Sequence, residues 1–268
     1  MTNFPNVSII ISNYNYGKYV DNAIKSALRQ KYQGEIRVYV VDDGSSDDSW
    51  KKICDITCEK ETTNLEESYY KGPLEFRQKD NLYAYRINNS GASTARNVGI
   101  YQSLGWANVF GILDADDEYY EDKVETLAKK LMEHPEVGVA YADYDIHRTF
   151  NDLNYTKYEY KPPYSKLKLL NECIVHSGAL IKKEYLNAVK LPTAEFYDSN
   201  LHGPLSKGFI GCTEDYDLWL RLAETCVMTH VAKPLSLVRE TGNNQSMRMN
   251  PEIFSQNVNF IQNRNKNA

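Results

Sequence analysis

The sequence predicts an α/β fold in which helices flank a mostly parallel central sheet. Short apolar runs rich in β-branched residues occur at 7–11, 36–41 and 109–113. Each run leads into a polar loop, and a segment with apolar residues at helical spacing follows each loop. Such runs are typical of strands that are buried on both faces, as parallel strands covered by helices are.

The first two units each place a polar loop after a strand. After the first run, the loop 12–17 precedes three apolar residues that are spaced as on one face of a helix. These residues are Val20, Ile24 and Leu28. After the second run, the turn 42–45 precedes a helix that we expect to begin near Ser46, because a hydroxyl there can cap free backbone N–H groups.

The third unit carries an acidic cluster, residues 114–118, directly after its strand. Carboxylates this close together repel one another unless bulk water or positive charge surrounds them. If the strand geometry continues to residue 116, Asp114 and Asp116 point to the same side, and such a pair suits Mg²⁺ or Mn²⁺, which prefer oxygen ligands. The alternative is a solvated acidic turn that caps the helix after Tyr120. That helix is expected to bury Val124, Leu127, Ala128 and Leu131.

The remainder of the chain is less regular. The polar segment from about 55 to 81 is expected to be a surface insertion, and the pattern loosens again after Tyr144. A helix with an apolar face is expected to follow Thr213, with Glu214 and Asp215 at its start. Acids there either cap the helix or supply a general base. The last residues, 241–268, are expected to form a terminal helix or a tail.

Composition narrows the classes of partner. The chain of 268 residues is 42% apolar, enough for one large domain or one domain with an appendage. Its net charge of −5 argues against a nucleic-acid partner, which needs a basic surface. No apolar stretch approaches the roughly 20 residues that span a bilayer, and residues 1–5 lack the pattern of a signal peptide. We therefore expect a cytoplasmic protein whose five cysteines are ordinary thiols.

The loops after the three predicted strands are expected to form one crevice, because ligands of open α/β sheets bind beyond the carboxyl ends of the strands. Ser12, Tyr14 and Asp43 would then lie near the acidic cluster. Asp43 also suits an ordinary turn, but a carboxylate there can accept a hydrogen bond from the imide N–H of uracil. The small-residue segment 91–99 is expected to begin a helix in which Arg96 could hold a phosphate.

In this order, the motifs resemble those of the family 2 glycosyltransferases, inverting enzymes with the GT-A fold that use nucleotide-diphosphate sugars. The matching stretches are 7–15, 41–47, 92–99, 113–117 and 214–219. The resemblance implies a GT-A type fold with a Rossmann-like sheet and a glycosyltransferase domain at 1–240. Its nucleotide-binding part would be about 1–118 and its acceptor-side part about 119–240.

The resemblance also implies roles for the motif residues. Asp215 would be the catalytic base, and Asp116 with the adjacent Asp117 would bind a divalent cation, Mn²⁺ or Mg²⁺. The implied nucleotide-binding residues are Ser12, Tyr14, Asp43, Arg96 and Asp114. His176 and Glu214 would contact substrate, although a structural histidine is the competing interpretation of His176.

The implied partners are a nucleotide-sugar donor, with UDP favoured by family habit, and a saccharide or lipid-linked acceptor. Peripheral association with the inner face of the membrane is an open alternative for a cytoplasmic enzyme of this kind. The sequence does not indicate an oligomeric state.

Two features depart from the family pattern. The family often has Arg-x-His near the end of the catalytic domain, whereas Thr241 stands here at the histidine position. Metal binding is therefore expected to be weaker or completed by water. The segment 191–211 is longer than usual, so the acceptor side is expected to differ from that of relatives.

Two other classes of protein stay open and one is excluded. A sugar-phosphate nucleotidyltransferase should show a Gly-rich, basic loop near its start, but the loop after the first strand has only Lys18. A non-catalytic carbohydrate-binding protein with a degenerate site is favoured by Thr241. A dinucleotide oxidoreductase is excluded because no GxGxxG follows the first strand.

Overall fold

The computed structural model describes residues 4–57, 75–150, 153–199, 213–241 and 251–266. The strands are β1 Val7–Asn13, β2 Ile36–Asp42, β3 Glu75–Lys79, β4 Leu82–Arg86, β5 Val109–Asp114, β6 Glu118–Tyr119, β7 Val137–Phe150, β8 Leu153–Glu159, β9 Leu180–Lys182 and β10 Val227–Glu240. The helices are α1 Val20–Leu28, α2 Ser49–Thr57, α3 Ala92–Ser103, α4 Lys123–Glu133, α5 Lys166–Leu169, α6 Lys183–Ala188, α7 Glu214–Leu222 and α8 Pro251–Lys266.

The strands form one sheet in the order β3-β4-β2-β1-β5-β9-β7-β10-β6, with β8 paired to β7. Strands β4, β2, β1 and β5 are mutually parallel neighbours. This confirms the predicted α/β fold and the central position of the three apolar runs. Beyond β5 the sheet becomes mixed, because β9 is antiparallel to both β5 and β7.

The core lies on both faces of this sheet. Successive residues of a strand point to opposite faces, so Ile10 joins the apolar cluster beside α3 and α7, whereas Ile9 and Ile11 join the cluster beside α1 and α4. Helix α3 packs closely on β1. A Cβ added at Gly99 would lie 2.4 Å from the Cγ2 of Ile10, so only glycine fits this crossing.

Three local predictions differ from the structure. Within the expected surface insertion, residues 75–79 form a regular strand, β3, which pairs with the edge of β4; residues 58–74 lie outside the described part. The sequence after Tyr144 continues as β7 and turns back as β8, because cross-strand pairing supplies the regularity that local periodicity lacks. Helix α2 begins at Ser49, three residues after the expected start at Ser46.

Helices α4 and α7 lie where the sequence predicts helices. The predicted face of α4 is fully buried, and α7 begins at Glu214. Of the two alternatives for the last residues, the structure shows a helix, α8, whose Ile261 is buried. Cys54, Cys173 and Cys226 are free thiols, and the other two cysteines lie outside the described residues. No helix in the described ranges is long and apolar enough to cross a membrane.

Candidate active site

The loops after β1, β2 and β5 meet at one edge of the sheet, as expected from parallel strands. In the strand register, Ser12 lies opposite Asp114, and Asn13 lies opposite Asp42. The motifs that are separated along the sequence therefore begin side by side.

The acidic cluster forms a tight turn rather than a continued strand. Strand β5 ends at Asp114, whose carbonyl oxygen accepts a hydrogen bond from the backbone N–H of Asp117 at 3.0 Å. The condition that strand geometry continues to residue 116 is therefore not met, because the chain turns after β5 to pair β6 with β10. Asp116 and Asp117 are both buried, with 6% of their surface exposed.

Burial decides the electrostatics of this turn. It raises the pKa of the Asp116 carboxyl to about 7, and the negative charge of Asp114 adds to the effect. Burial also raises the pKa of Asp117 well above its ordinary value, with Asp116 and Asp114 contributing. The turn is thus not a solvated helix cap. It is a buried acidic site that a positive charge would stabilise.

Arg239 of β10 holds the turn in place. Its backbone N–H donates to Oδ1 of Asp117 at 2.9 Å, and its Nη1 donates to the carbonyl oxygen of Asp116 at 2.8 Å. Its guanidinium also pairs with Glu118. The sequence alone does not mark Arg239 as a partner of the acidic turn, because it lies more than a hundred residues away along the chain.

Arg96 joins three of the sequence motifs. Its Nη2 lies 2.9 Å from Oδ1 of Asp114, and its Nη1 lies 2.6 Å from Oε1 of Glu214 and 3.5 Å from Oδ1 of Asp215. The Ser177 hydroxyl donates to the other Asp114 oxygen at 3.2 Å. The arginine is 5% exposed, so its charge is directed at these carboxylates rather than at solvent.

Asp43 anchors the start of α3. Its carboxylate accepts hydrogen bonds from the backbone N–H groups of Ser90 at 2.7 Å and Gly91 at 2.8 Å. Gly91 has φ 92°, a conformation that favours glycine. These contacts fix the first turn of the helix that carries Arg96. Tyr14 lies on the exposed loop after β1, with 43% of its surface accessible, as a ring that stacks on a base requires.

His176 lies beside the acidic site rather than in it. Its ring contacts that of Tyr144 in a tilted arrangement with centroids 4.4 Å apart, and its Nδ1 accepts from the backbone N–H of Gly178 at 3.1 Å. Burial lowers the pKa of His176 well below its ordinary value, and the nearby Lys123 and Lys161 add to this. The next residue in the chain, Ser177, is the one that contacts Asp114.

Lys123 is a buried cation that sequence reasoning missed. It donates to the hydroxyl of Ser236, and its Nζ lies 3.9 Å from the centre of the Tyr119 ring. Burial lowers its pKa to about 7, opposed by the charge of Asp117. Its position at the start of an amphipathic helix does not indicate burial, because lysines at such positions are usually solvated.

A divalent cation fits the chemistry of the acidic turn but would not be held by protein alone. Asp116 and Asp117 supply hard carboxylate oxygens. Within the described residues, no group of three or more His, Cys, Asp or Glu could hold a metal ion. Mg²⁺ often uses one or two carboxylates and takes its other ligands from water and substrate phosphates.

The candidate site therefore lies beyond the carboxyl ends of parallel strands, which is where α/β proteins with open sheets bind their ligands. Residues 8–189 match the family model "Glycosyl transferase family 2". The chain belongs to this family.

Curated relatives agree with this assignment. An uncharacterised glycosyltransferase of Rickettsia prowazekii is 31% identical over 228 residues, which are 81% of this chain and 58% of that protein. One of Rickettsia felis is 29% identical over 225 residues, again 81% of this chain but 31% of that protein. Glycosyltransferase GlyG of Streptococcus pneumoniae is 32% identical over 129 residues, 47% of this chain and 35% of GlyG. The matched regions thus span between 31% and 58% of the length of these relatives.

Solved structures show the same fold. The structure of S. aureus TarS 1–349 in complex with UDP superposes with a TM-score of 0.65, at 17% identity, over 96% of this chain and 64% of that one. The same TarS fragment without this ligand gives a TM-score of 0.64. The expected GT-A fold is confirmed.

Proposed function

We propose that this chain is an inverting glycosyltransferase that transfers a sugar from a nucleotide-diphosphate sugar to a hydroxyl group. The observation that carries the proposal is the Arg96 cluster, which joins the end of β5 to the first turn of α7. A donor held at Asp114 would lie beside a base at Asp215. The acceptor would be a saccharide or lipid-linked sugar, in polysaccharide or glycoconjugate synthesis.

Asp215 suits the role of general base. It lies in the first turn of α7, and its side chain is 23% exposed, so it is open to a substrate, unlike the buried Glu214. In the proposed step the acceptor oxygen forms a bond to the anomeric carbon while its proton passes to Asp215. The bond from that carbon to the diphosphate oxygen breaks, and the diphosphate leaves with the electron pair. Attack opposite the leaving group inverts the configuration.

The donor would lie across the ends of β1, β2 and β5. Ser12, Tyr14 and Asp43 would hold the nucleoside, with Asp114 toward the ribose and Arg96 toward the phosphates. UDP is the favoured nucleotide, since the TarS neighbours include complexes with UDP and with UDP-GlcNAc. Asp43 already accepts hydrogen bonds from two backbone N–H groups and from the Asn89 side chain, so a uracil N–H would share these carboxylate oxygens with them.

Asp116 and Asp117 would hold a divalent cation, Mn²⁺ or Mg²⁺. When bound, this ion supplies positive charge to the diphosphate leaving group. The raised pKa of both carboxyls is consistent with a site that gains its positive charge only with the ligand. Arg239 fixes the backbone of the turn so that both carboxylates keep their positions.

The test is release of UDP from a panel of UDP-sugars in the presence of Mn²⁺. Asp215→Asn should abolish release and keep UDP binding, because the amide cannot accept a proton but preserves the side-chain shape. Asp122→Asn is the matched control, since that carboxylate is exposed and pairs only with a surface lysine in the contacts described. Equal release by wild type and Asp215→Asn would overturn the assignment of the base.

A further inference from the structure

Tyr197 is a buried polar residue that the proposed mechanism does not use. Its side chain is fully buried, and its hydroxyl has no hydrogen-bond partner within the described parts of the chain. Buried hydroxyl groups are normally paired, because leaving one unpaired costs the stability of the folded state. An unpaired phenol beside a substrate site therefore needs an explanation.

The ring of Tyr197 lies against the Arg96 cluster. The guanidinium carbon of Arg96 is 5.3 Å from the ring centre. Burial raises the pKa of the phenol well above its ordinary value, and the charge of Asp215 is the next largest cause. Glu214 and Asp114 act in the same direction and Arg96 opposes them. The phenol is therefore a neutral hydrogen-bond donor in the field of three carboxylates.

The segment 196–198 is held by contacts from three helices, so the placement of Tyr197 is built into the fold. Asn97 of α3 donates to its carbonyl oxygen at 2.7 Å and accepts from its N–H at 2.9 Å. Arg221 of α7 donates to the preceding carbonyl oxygen, of Phe196, at 2.6 Å. Arg264 of α8 pairs with the following residue, Asp198, at 2.7 Å.

Binding of a diphosphate at Arg96 would draw the positive charge of the guanidinium away from the carboxylates that lie near the Tyr197 phenol, a neutral hydrogen-bond donor. The two Nη atoms of Arg96 pair with Asp114, Glu214 and Asp215, and only its Nε has no hydrogen-bond partner among the described residues. Turning the guanidinium toward a phosphate would weaken at least one of these pairs. Glu214 is 3% exposed, and a buried carboxylate that loses a cation is strongly disfavoured.

We infer that Tyr197 is a positioning residue whose hydroxyl donates to the carboxylate pair of α7, Glu214 and Asp215, when Arg96 turns to the diphosphate of the donor. This inference rests on the proposed function. The exchange keeps the first turn of α7 in place while the arginine changes partners. Uridine, which has no phosphate, would not trigger it.

The experiment compares the binding of UDP and uridine by calorimetry in wild type and Tyr197→Phe. The variant should weaken UDP binding about tenfold and leave uridine binding unchanged. Its melting temperature should be equal or higher, because the lost hydroxyl had no partner. Tyr141→Phe is the matched control. Tyr141 is equally buried, but its hydroxyl donates to Pro162 at 2.7 Å, so this variant should melt lower and bind UDP normally.

Wild-type affinity for UDP in a folded Tyr197→Phe protein would overturn the inference, as would an equal loss of uridine binding. If wild type itself binds neither ligand, the proposed function fails first. A second measurement does not depend on the variant's stability. The ring-carbon NMR signal of Tyr197 in wild type should shift with UDP and stay in place with uridine, and an unchanged signal with UDP would also overturn the inference.

Discussion

Asp116→Asn is expected to stabilise the protein at pH 8 in the absence of divalent cations and to stabilise it less near pH 5. Burial beside Asp114 raises the pKa of this carboxyl from 3.8 to about 7. A raised carboxyl pKa contributes stability that is fully present below 3.8 and is lost as the pH rises through about 7. The amide in the Asp116→Asn variant cannot ionise, so the variant does not lose this stability as the pH rises.

The structure sets the size of the effect. Each pKa unit corresponds to about 1.4 kcal/mol, so the rise to about 7 corresponds to at most about 4 kcal/mol above pH 7. The charge is shared with Asp117, and removing it from one carboxyl lets the other ionise more readily. We therefore expect about 2 kcal/mol at pH 8, since the partner takes up part of the charge.

The assay is urea unfolding at pH 5 and pH 8, with and without Mn²⁺. Added Mn²⁺ should stabilise wild type at pH 8, because a ligand that binds only the folded state favours it, and should stabilise the variant much less. Asp122→Asn, an exposed carboxylate, is the control and should show neither effect. The same difference between wild type and Asp116→Asn at both pH values would refute the reasoning.

Three further predictions concern packing and charge. Lys123→Met should stabilise the protein by about 2 kcal/mol at pH 6 and less at pH 10, because a buried lysine with a pKa near 7 destabilises the fold most where it is charged; urea unfolding that gives equal differences would contradict this. Gly99→Ala should lower stability by about 1–3 kcal/mol, because its Cβ would lie 2.4 Å from Ile10; an unchanged melting temperature would refute the close crossing. Arg264→Ala should lower the free energy of unfolding by about 1–3 kcal/mol, because the fully buried Asp217 then keeps its ion pair with Arg221 but loses the one with Arg264. Calorimetric melting measures this change, and an unchanged melting temperature would contradict the prediction.

The sequence by itself determined the central sheet and the family. Apolar runs and helical spacing are local signals, so β1, β2, β5, α4 and α7 could be located from neighbouring residues alone. The order of the short motifs indicates the family. Each motif places residues that suit a turn or a helix cap beside residues that suit binding or catalysis, and this combination is rarer than either feature alone. The parallel arrangement then placed three polar loops at one edge, since carboxyl ends of parallel strands coincide.

The pairing of some strands and the burial of the acidic turn are visible only in the tertiary structure, because local sequence patterns do not encode them. Strands β3 and β8 are defined by their partners, and the sequence of each was read as irregular. The burial of Asp116 and Asp117 depends on Arg239, which lies more than a hundred residues along the chain. Their raised pKa values follow from that burial, not from the spacing of acids in the sequence.

Tyr197 is the clearest example of a residue whose surroundings the sequence patterns do not reveal. No motif marks it, and its side chain lies against the Arg96 cluster because three helices hold the segment 196–198. Sequence spacing specifies which residues share one element of secondary structure. Which elements meet, and which polar groups they bury together, follows from packing over the whole chain.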